Sequence, residues 1–257
     1  MSCVVPAPGV NVDGDDRWLC LHKLFLAEGT EKEPDVVVLG DYTVAFLQQS
    51  EASFLNRRIF ACVCRREIHI LSRELKCLFF YLKVWENYFA PLHCLNFGIP
   101  EDRIENVLWR IENGELDNVK AKVVVLSVGS NDNASSPEAV SEGIVTCTTA
   151  IKSRLPEAQI VVLKLLPCGQ HPNSQRDRRR QINELLAKAL KGQPQVQLVD
   201  LDPGLVRPDG TIGYHDMFDF LHLSRQGFVS TFEPLADLVA QLLREAAGAG
   251  DTPVAAS

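Results

Sequence analysis

Five short apolar runs, rich in β-branched residues, are the most regular feature of the chain. They occupy residues 35–39, 94–97, 122–128, 159–163 and 196–199. The runs do not alternate between apolar and polar positions as a half-exposed strand does, so both faces of each strand should be covered. Such strands, separated by longer helical stretches, are typical of α/β proteins with a parallel sheet. The pattern therefore predicts a parallel sheet of five strands with helices on both faces.

The helices are expected between these strands, where apolar positions recur every three or four residues. They are predicted at residues 102–112, from Ser136 to residue 154, from Asn173 or Ser174 onward, and from Ser224 to residue 247. Gly114 is a suitable stop for the first of them, and Pro137 suits the first turn of the second.

The boundaries of the domain follow from changes in composition. Residues 17–245 are predicted to form one domain, residues 1–16 a flexible N-terminal arm, and residues 246–257 a disordered tail. Residues 53–83 interrupt the alternation of strands and helices. They hold seven basic and two acidic residues, a local charge of +5 in a chain whose net charge is −7. This change indicates an insertion, in which an additional amphipathic helix is possible.

Charge and cysteine usage limit the kinds of binding partner and the cellular compartment that we expect. A net charge of −7 argues against nucleic acid as the main partner, because nucleic-acid binding needs a basic surface. No run reaches the roughly 20 apolar residues of a membrane helix, and no secretory signal is recognisable. The eight cysteines are therefore expected to be reduced thiols in the cytoplasm. A metal site at Cys62, Cys64, His69 and Cys77 is the weaker alternative, since its first spacing is tight for zinc.

Residues that could carry chemistry follow the predicted strands, where open parallel sheets bind their ligands. Asp219 and His222 lie three apart before the last helix, so the carboxylate could orient the imidazole; a solvated ion pair is the alternative. Asn131 could donate to a developing oxyanion, or it could serve only as a turn residue. No nucleophile accompanies them, because Tyr42 stands where one would be expected and Thr43 would point elsewhere.

These residues resemble three of the four sequence blocks of SGNH/GDSL hydrolases: Gly40 with Asp41, then Asn131, then Asp219 with His222. Longer stretches resemble the catalytic subunit family of platelet-activating factor acetylhydrolase IB; they are residues 15–22, 33–41, 91–99, 107–116, 165–167, 169–173 and 215–224. The resemblance covers nearly everything outside residues 53–83 and the two ends.

The resemblance implies a three-layer αβα, flavodoxin-like fold and a dimer. The family hydrolyses the sn-2 acetyl ester of the phospholipid platelet-activating factor without a cofactor or metal. Its subunits pair with paralogous subunits and bind a WD-repeat β-propeller. Carried over to this chain, His222 would be the general base, Asp219 its orienting carboxylate and Asn131 an oxyanion donor.

The departures from the family pattern fall on the chemistry. The family's nucleophilic serine is Tyr42, its oxyanion glycine is Glu101, and the arginine after its Leu-Leu-Pro stretch is Cys168. A catalytically impaired member that acts by dimerisation or partner binding is therefore the leading hypothesis. An active esterase that uses the Asp219–His222 pair is the alternative. A third hypothesis is that residues 53–83 are a gene-model artefact in a chain that is not a stable product.

Overall fold

A β-sheet forms the centre of the protein. The computed structural model describes residues 3–10, 14, 16–48 and 84–248. The five strands of the sheet are β1 (Val36–Gly40), β2 (Cys94–Gly98), β3 (Val123–Ser127), β4 (Gln159–Leu163) and β5 (Val196–Val199). They lie in the order β2-β1-β3-β4-β5, and every neighbouring pair is parallel. The parallel α/β sheet predicted from the sequence is confirmed, and the strand ends differ from the prediction by at most two residues.

The helices within the described residues are α1 (Arg17–Lys32), α2 (Tyr42–Gln48), α3 (Ile104–Arg110), α4 (Pro137–Arg154), α5 (Ser174–Ala189) and α6 (Arg225–Gly248). Shorter helical turns occupy Trp85–Phe89, Ala90–Leu92 and Ile111–Glu115. The Ser136 side chain accepts a hydrogen bond from the Ala139 amide (3.2 Å), and Asn173 accepts one from the Arg176 amide (3.0 Å). Because such caps satisfy amides left free in the first turn, α4 and α5 begin where the sequence predicted.

Alternate residues of each central strand face opposite hydrophobic layers. Val37 and Leu39 of β1 pack with α1, α3, α4 and α5, whereas Val36 and Val38 pack with α2 and α6. All four side chains are completely buried. The αβα arrangement of three layers expected from the resemblance is therefore present.

Two local features differ from the sequence-based expectation. Residues 3–10 contact the domain, although a flexible arm was predicted there: Cys3 is buried, the Ala7 amide donates to the Glu105 carbonyl (3.1 Å), and Asn106 Nδ2 donates to the Ala7 carbonyl (3.0 Å). The helix predicted at residues 102–112 begins at Ile104 and widens after Arg110 into a π-helical turn. Gly114 ends that turn with a φ of +96°, which glycine adopts without strain.

Residues 53–83 lie outside the described residues, and so do the extra helix and the cysteine metal site considered for them. Most of the predicted tail, from residue 249, lies outside them as well. Within the part that the structure describes, no helix is both long and apolar enough to cross a membrane.

Candidate functional site

The candidate site lies at the carboxyl edge of the sheet, where the chain leaves β1 and enters α2 after a single residue. A Cβ on Gly40 would lie 1.9 Å from the Ser127 carbonyl oxygen, and one on Gly98 would lie 2.3 Å from the Ala45 nitrogen. Only glycine allows such close approaches. These two glycines bring the ends of β1, β2 and β3 together beneath the first turn of α2.

Asp41 occupies this turn and is buried. Its carboxylate accepts hydrogen bonds from the Thr43 amide (3.1 Å), from the Ser130 amide (3.4 Å) and from the Ser130 hydroxyl. Burial raises the pKa of Asp41 to about 6, although these hydrogen bonds act to lower it. The side chain therefore links β1 to the turn after β3 and faces away from solvent.

Tyr42, which the resemblance places where a nucleophile would be expected, packs its ring against the imidazole of His222. The ring centroids of Tyr42 and His222 are 4.8 Å apart in an edge-to-face arrangement, and Phe46 lies 5.7 Å from His222. Burial raises the pKa of the Tyr42 hydroxyl, although the positive charge of Arg179 and hydrogen bonding with Ser130 and Arg179 lower it. The phenol is therefore held in its neutral form at neutral pH.

Asp219 and His222 form the pair that their spacing predicted. His222 Nδ1 lies 2.6 Å from Asp219 Oδ2, and the other carboxylate oxygen accepts from the amides of His222 (2.7 Å) and Leu221 (3.0 Å). Burial would raise the pKa of Asp219, but the hydrogen bonds from His222 and Leu221 hold it below its ordinary value. An ionised Asp219 fixes the orientation of the imidazole, as an orienting carboxylate requires.

Asn131 reaches the same edge, but its amide is engaged with the main chain. Asn131 Nδ2 donates to the carbonyls of Pro100 (3.0 Å) and Asp102 (2.7 Å). An amide nitrogen carries two hydrogens, so these two bonds use both donors. Glu101, between the two acceptors, is exposed to solvent. The structure thus brings Tyr42 and the Asp219–His222 pair together, while the donors of Asn131 are bound to the loop after β2.

A second polar group lies on the α1 side of the sheet and was not anticipated from the sequence. We call it the Arg110 cluster; it consists of Trp18, His22, Asp102, Arg110 and Glu115, each less than 7% exposed. Arg110 Nε donates to Asp102 (2.8 Å), Arg110 also donates to Glu115, and Trp18 Nε1 donates to Asp102 (2.6 Å). His22 Nδ1 lies 3.3 Å from Glu115. Every member of the cluster therefore has a polar partner.

Two further residues beside Tyr42 were missed, Ser130 and Arg179. Ser130 lies in the turn after β3, where its hydroxyl donates to Asp41. Arg179 lies in a run of basic residues at the start of α5, in which Arg180 is exposed while Arg179 is buried and donates to the Leu166 carbonyl (2.8 Å). Helical periodicity was the available signal, because Arg179 precedes the apolar Ile182 and Leu186 by three and seven positions.

Comparison with known proteins gives consistent matches along the chain. Residues 80–228 match the model of the GDSL-like Lipase/Acylhydrolase family. A platelet-activating factor acetylhydrolase IB subunit beta homolog from Drosophila melanogaster is 43% identical over 243 residues, which cover 95% of this chain and 94% of that protein. The human platelet-activating factor acetylhydrolase IB subunit alpha1 is 41% identical, with coverage of 95% and 92%.

Solved structures agree on the fold. A GDSL-like lipase from Bacteroides thetaiotaomicron superposes with a TM-score of 0.58 at 15% identity, covering 88% of this chain and 98% of that one.

Proposed function

Because the chain belongs to the GDSL-like lipase/acylhydrolase family, among the platelet-activating factor acetylhydrolase IB subunits, we propose that it is a catalytically impaired member. It acts by pairing with another subunit and by binding a partner, not by hydrolysing an acetyl ester. The observation that carries this proposal is the position of Tyr42, whose ring lies 4.8 Å from the imidazole of His222.

The chemical argument begins with the missing nucleophile. A serine hydroxyl beside a histidine attacks because the imidazole takes its proton. At this position the chain offers a neutral phenol whose pKa is raised by burial, and the aromatic ring occupies space next to the imidazole. Losing the nucleophile of a serine hydrolase lowers turnover by on the order of 10⁶. The Asp219–His222 pair alone therefore supports little acyl transfer.

The groups that would bind the oxyanion are also altered, which should lower turnover further. Asn131 donates both amide hydrogens to main-chain carbonyls, and the glycine expected in the loop after β2 is Glu101. A missing oxyanion donor costs about 10²–10³ in turnover, although this loss need not multiply with the first. The carboxylate of Glu101 also brings negative charge to the loop in which a transition state would develop the same charge.

A binding role accounts for a complete fold around a site with these losses. The curated relatives are named as subunits, so we propose a homodimer or a heterodimer with a paralogous subunit, and a WD-repeat β-propeller as the further partner. No cofactor, metal or nucleic acid enters this proposal. The cytoplasm is the compartment that fits the cysteine usage.

The first test is hydrolysis of a short-chain acetyl ester by the purified protein. We expect the wild type to equal His222→Ala at background, and the double variant Tyr42→Ser with Glu101→Gly to exceed both by at least about tenfold. The matched control, Tyr42→Ala with Glu101→Gly, removes the same ring and carboxylate without supplying a hydroxyl, so it should stay at background.

The second candidate function is an esterase in which His222 activates water directly. The 2.6 Å contact between His222 and Asp219 favours it, because an oriented imidazole is the minimum that a general base needs. Wild-type turnover above that of His222→Ala would establish this function and contradict the proposal.

The proposed pairing is tested separately, by light scattering of the protein alone and mixed with a paralogous subunit. We expect a mass of two chains, whose value does not change in His222→Ala because the imidazole serves no structural role in pairing. A monomer at micromolar concentration, both alone and in the mixture, would contradict a role in subunit assembly.

A further inference from the structure

A small cavity lies behind the turn that carries Asp41, between the carboxyl ends of β3 and β4 and α6. Its volume is about 20 Å³. The polar residues that line it are Asp41, Thr43, Ser127, Ser130, Lys164 and Thr231, and the apolar ones are Leu163, Leu165, Leu166, Leu201 and Phe232. One water molecule needs about 10–15 Å³ and two to four polar partners, so the cavity has the size and the lining for one.

Thr231, in the middle of α6, has a completely buried side chain. Among the described residues its hydroxyl has no hydrogen-bond partner. The threonines of α4 behave differently, because Thr146, Thr148 and Thr149 each donate to the carbonyl four residues earlier, at 2.8–3.0 Å. Thr231 does not use this local acceptor and instead lines the cavity, where an unpartnered hydroxyl would cost free energy.

Asp41, which also lines the cavity, has room for one more hydrogen bond. Its carboxylate accepts three hydrogen bonds, from the amides of Thr43 and Ser130 and from the Ser130 hydroxyl, whereas the two oxygens offer about four lone-pair sites. A further donor would stabilise the ionised form, which burial disfavours at this position. The cavity is thus lined by both an unpartnered hydroxyl and an incompletely satisfied carboxylate.

We propose that the cavity holds one buried water molecule that joins the Thr231 hydroxyl to the Asp41 carboxylate. The water accepts from Thr231 Oγ1 and donates to Asp41, so both groups gain the partner that each lacks. This bridge connects α6 with the turn before Tyr42, and the Ser130 hydroxyl, which donates to Asp41, extends it to the turn after β3. The proposal does not depend on whether the site is catalytic, because it concerns only how the turn is supported.

Thermal unfolding of Thr231→Val tests the bridge through the sign of the change in Tm. Valine keeps the shape of threonine but cannot hydrogen-bond. With a bridging water, the Tm should fall by about 2–4 °C, as expected for the loss of about one hydrogen bond's stability in a chain of this size. With a dry cavity, removing an unpartnered buried hydroxyl should leave the Tm unchanged or raise it, which would overturn the proposal.

Thr148→Val is the matched control, because Thr148 is also buried within a helix but donates to the Ile144 carbonyl (2.8 Å). It should change the Tm less than Thr231→Val does, because a hydroxyl bonded to the carbonyl four residues earlier adds little to the stability of a helix. An equal fall in both variants would mean that the effect belongs to threonine in a helix and not to the cavity.

A crystal structure of the wild type at about 1.8 Å resolution tests the site directly and does not require the variant to fold. We expect a density peak within hydrogen-bond distance, about 2.6–3.2 Å, of both Thr231 Oγ1 and the Asp41 carboxylate. A cavity without a peak, or a Thr231 hydroxyl that donates to the Gly227 carbonyl, would overturn the proposal.

Discussion

Two polar regions flank the end of β1, and they differ in how completely their groups are paired. In the Arg110 cluster, buried charges bind one another: Arg110 donates to Asp102 and to Glu115, and its guanidinium approaches the Gly40 carbonyl at 3.4 Å. At the candidate site, the Asp219–His222 pair is partly exposed and packs against the aromatic ring of Tyr42.

The two regions serve different purposes: the Arg110 cluster supports the fold, and the candidate site carries the residues that decide the chemistry. The Arg110 cluster joins α1, the loop after β2 and the end of α3, so we expect its groups to support the fold whatever the protein does. The residues Tyr42 and Glu101 change the chemistry of the site without removing any contact on which the sheet depends. Under the proposed function, the fold stays intact while the activity is lost.

The largest expected effect comes from breaking the cluster with Arg110→Met. Removing one partner of a buried ion pair leaves uncompensated charge, here the carboxylates of Asp102 and Glu115. We expect the free energy of unfolding to fall by about 3–5 kcal/mol, measured by urea denaturation. Arg180→Met is the control, because Arg180 pairs with Asp177 on the surface and should change stability little. A loss below about 1 kcal/mol in Arg110→Met would contradict a structural role for the cluster.

An intermediate effect is expected from Asp41, on the side of the candidate site. Its pKa is about 6 in the folded protein and 3.8 ordinarily, so between these values the folded state keeps a proton that the unfolded state has lost. The free energy of unfolding contributed by Asp41 is therefore highest below pH 4 and decreases as the pH rises to about 6, by about 3 kcal/mol in total.

The comparison of wild type with Asp41→Asn isolates this contribution, because asparagine keeps the shape and does not titrate. Urea denaturation from pH 4 to pH 7 should show the wild type losing stability relative to the variant as the pH rises. Parallel curves for the two proteins would contradict the raised pKa.

The smallest effect is expected from His222→Ala. The imidazole is 26% exposed and Asp219 is 41% exposed, and such pairs contribute about 0–1 kcal/mol. Asp219 keeps its hydrogen bonds from the amides of residues 221 and 222 in this variant, so the turn should hold. A loss above about 2 kcal/mol would show that the pair is a structural element like the Arg110 cluster, and would weaken the use of His222→Ala as an activity control.

Much of the fold could be predicted from local sequence. The five apolar runs locate the strands because a central parallel strand is buried on both faces. Ser136 and Asn173 mark the starts of α4 and α5 because their side chains cap free amides. The contact between Asp219 and His222 was also predictable from local sequence, because the two residues lie three apart, within one turn.

The Arg110 cluster could not be predicted in this way. Arg110 and Glu115 belong to a stretch with helical periodicity, and nothing local distinguishes a buried arginine from one on a solvated face. Their burial depends on α1, whose Trp18 and His22 lie more than 80 residues away along the chain. The engagement of Asn131 with the carbonyls of Pro100 and Asp102 likewise joins segments about 30 residues apart.

The sequence by itself determined the strands, the caps, the family pattern and the presence of a tyrosine where the resemblance implies a serine, because each depends on residue identity or on neighbours within a few positions. Only the tertiary structure decided that Tyr42 lies against His222, that the donors of Asn131 are used, and that Thr231 and Asp41 line one cavity. These features arise where separate strands and helices meet at the carboxyl edge of the sheet, and the distances between such groups are set by packing.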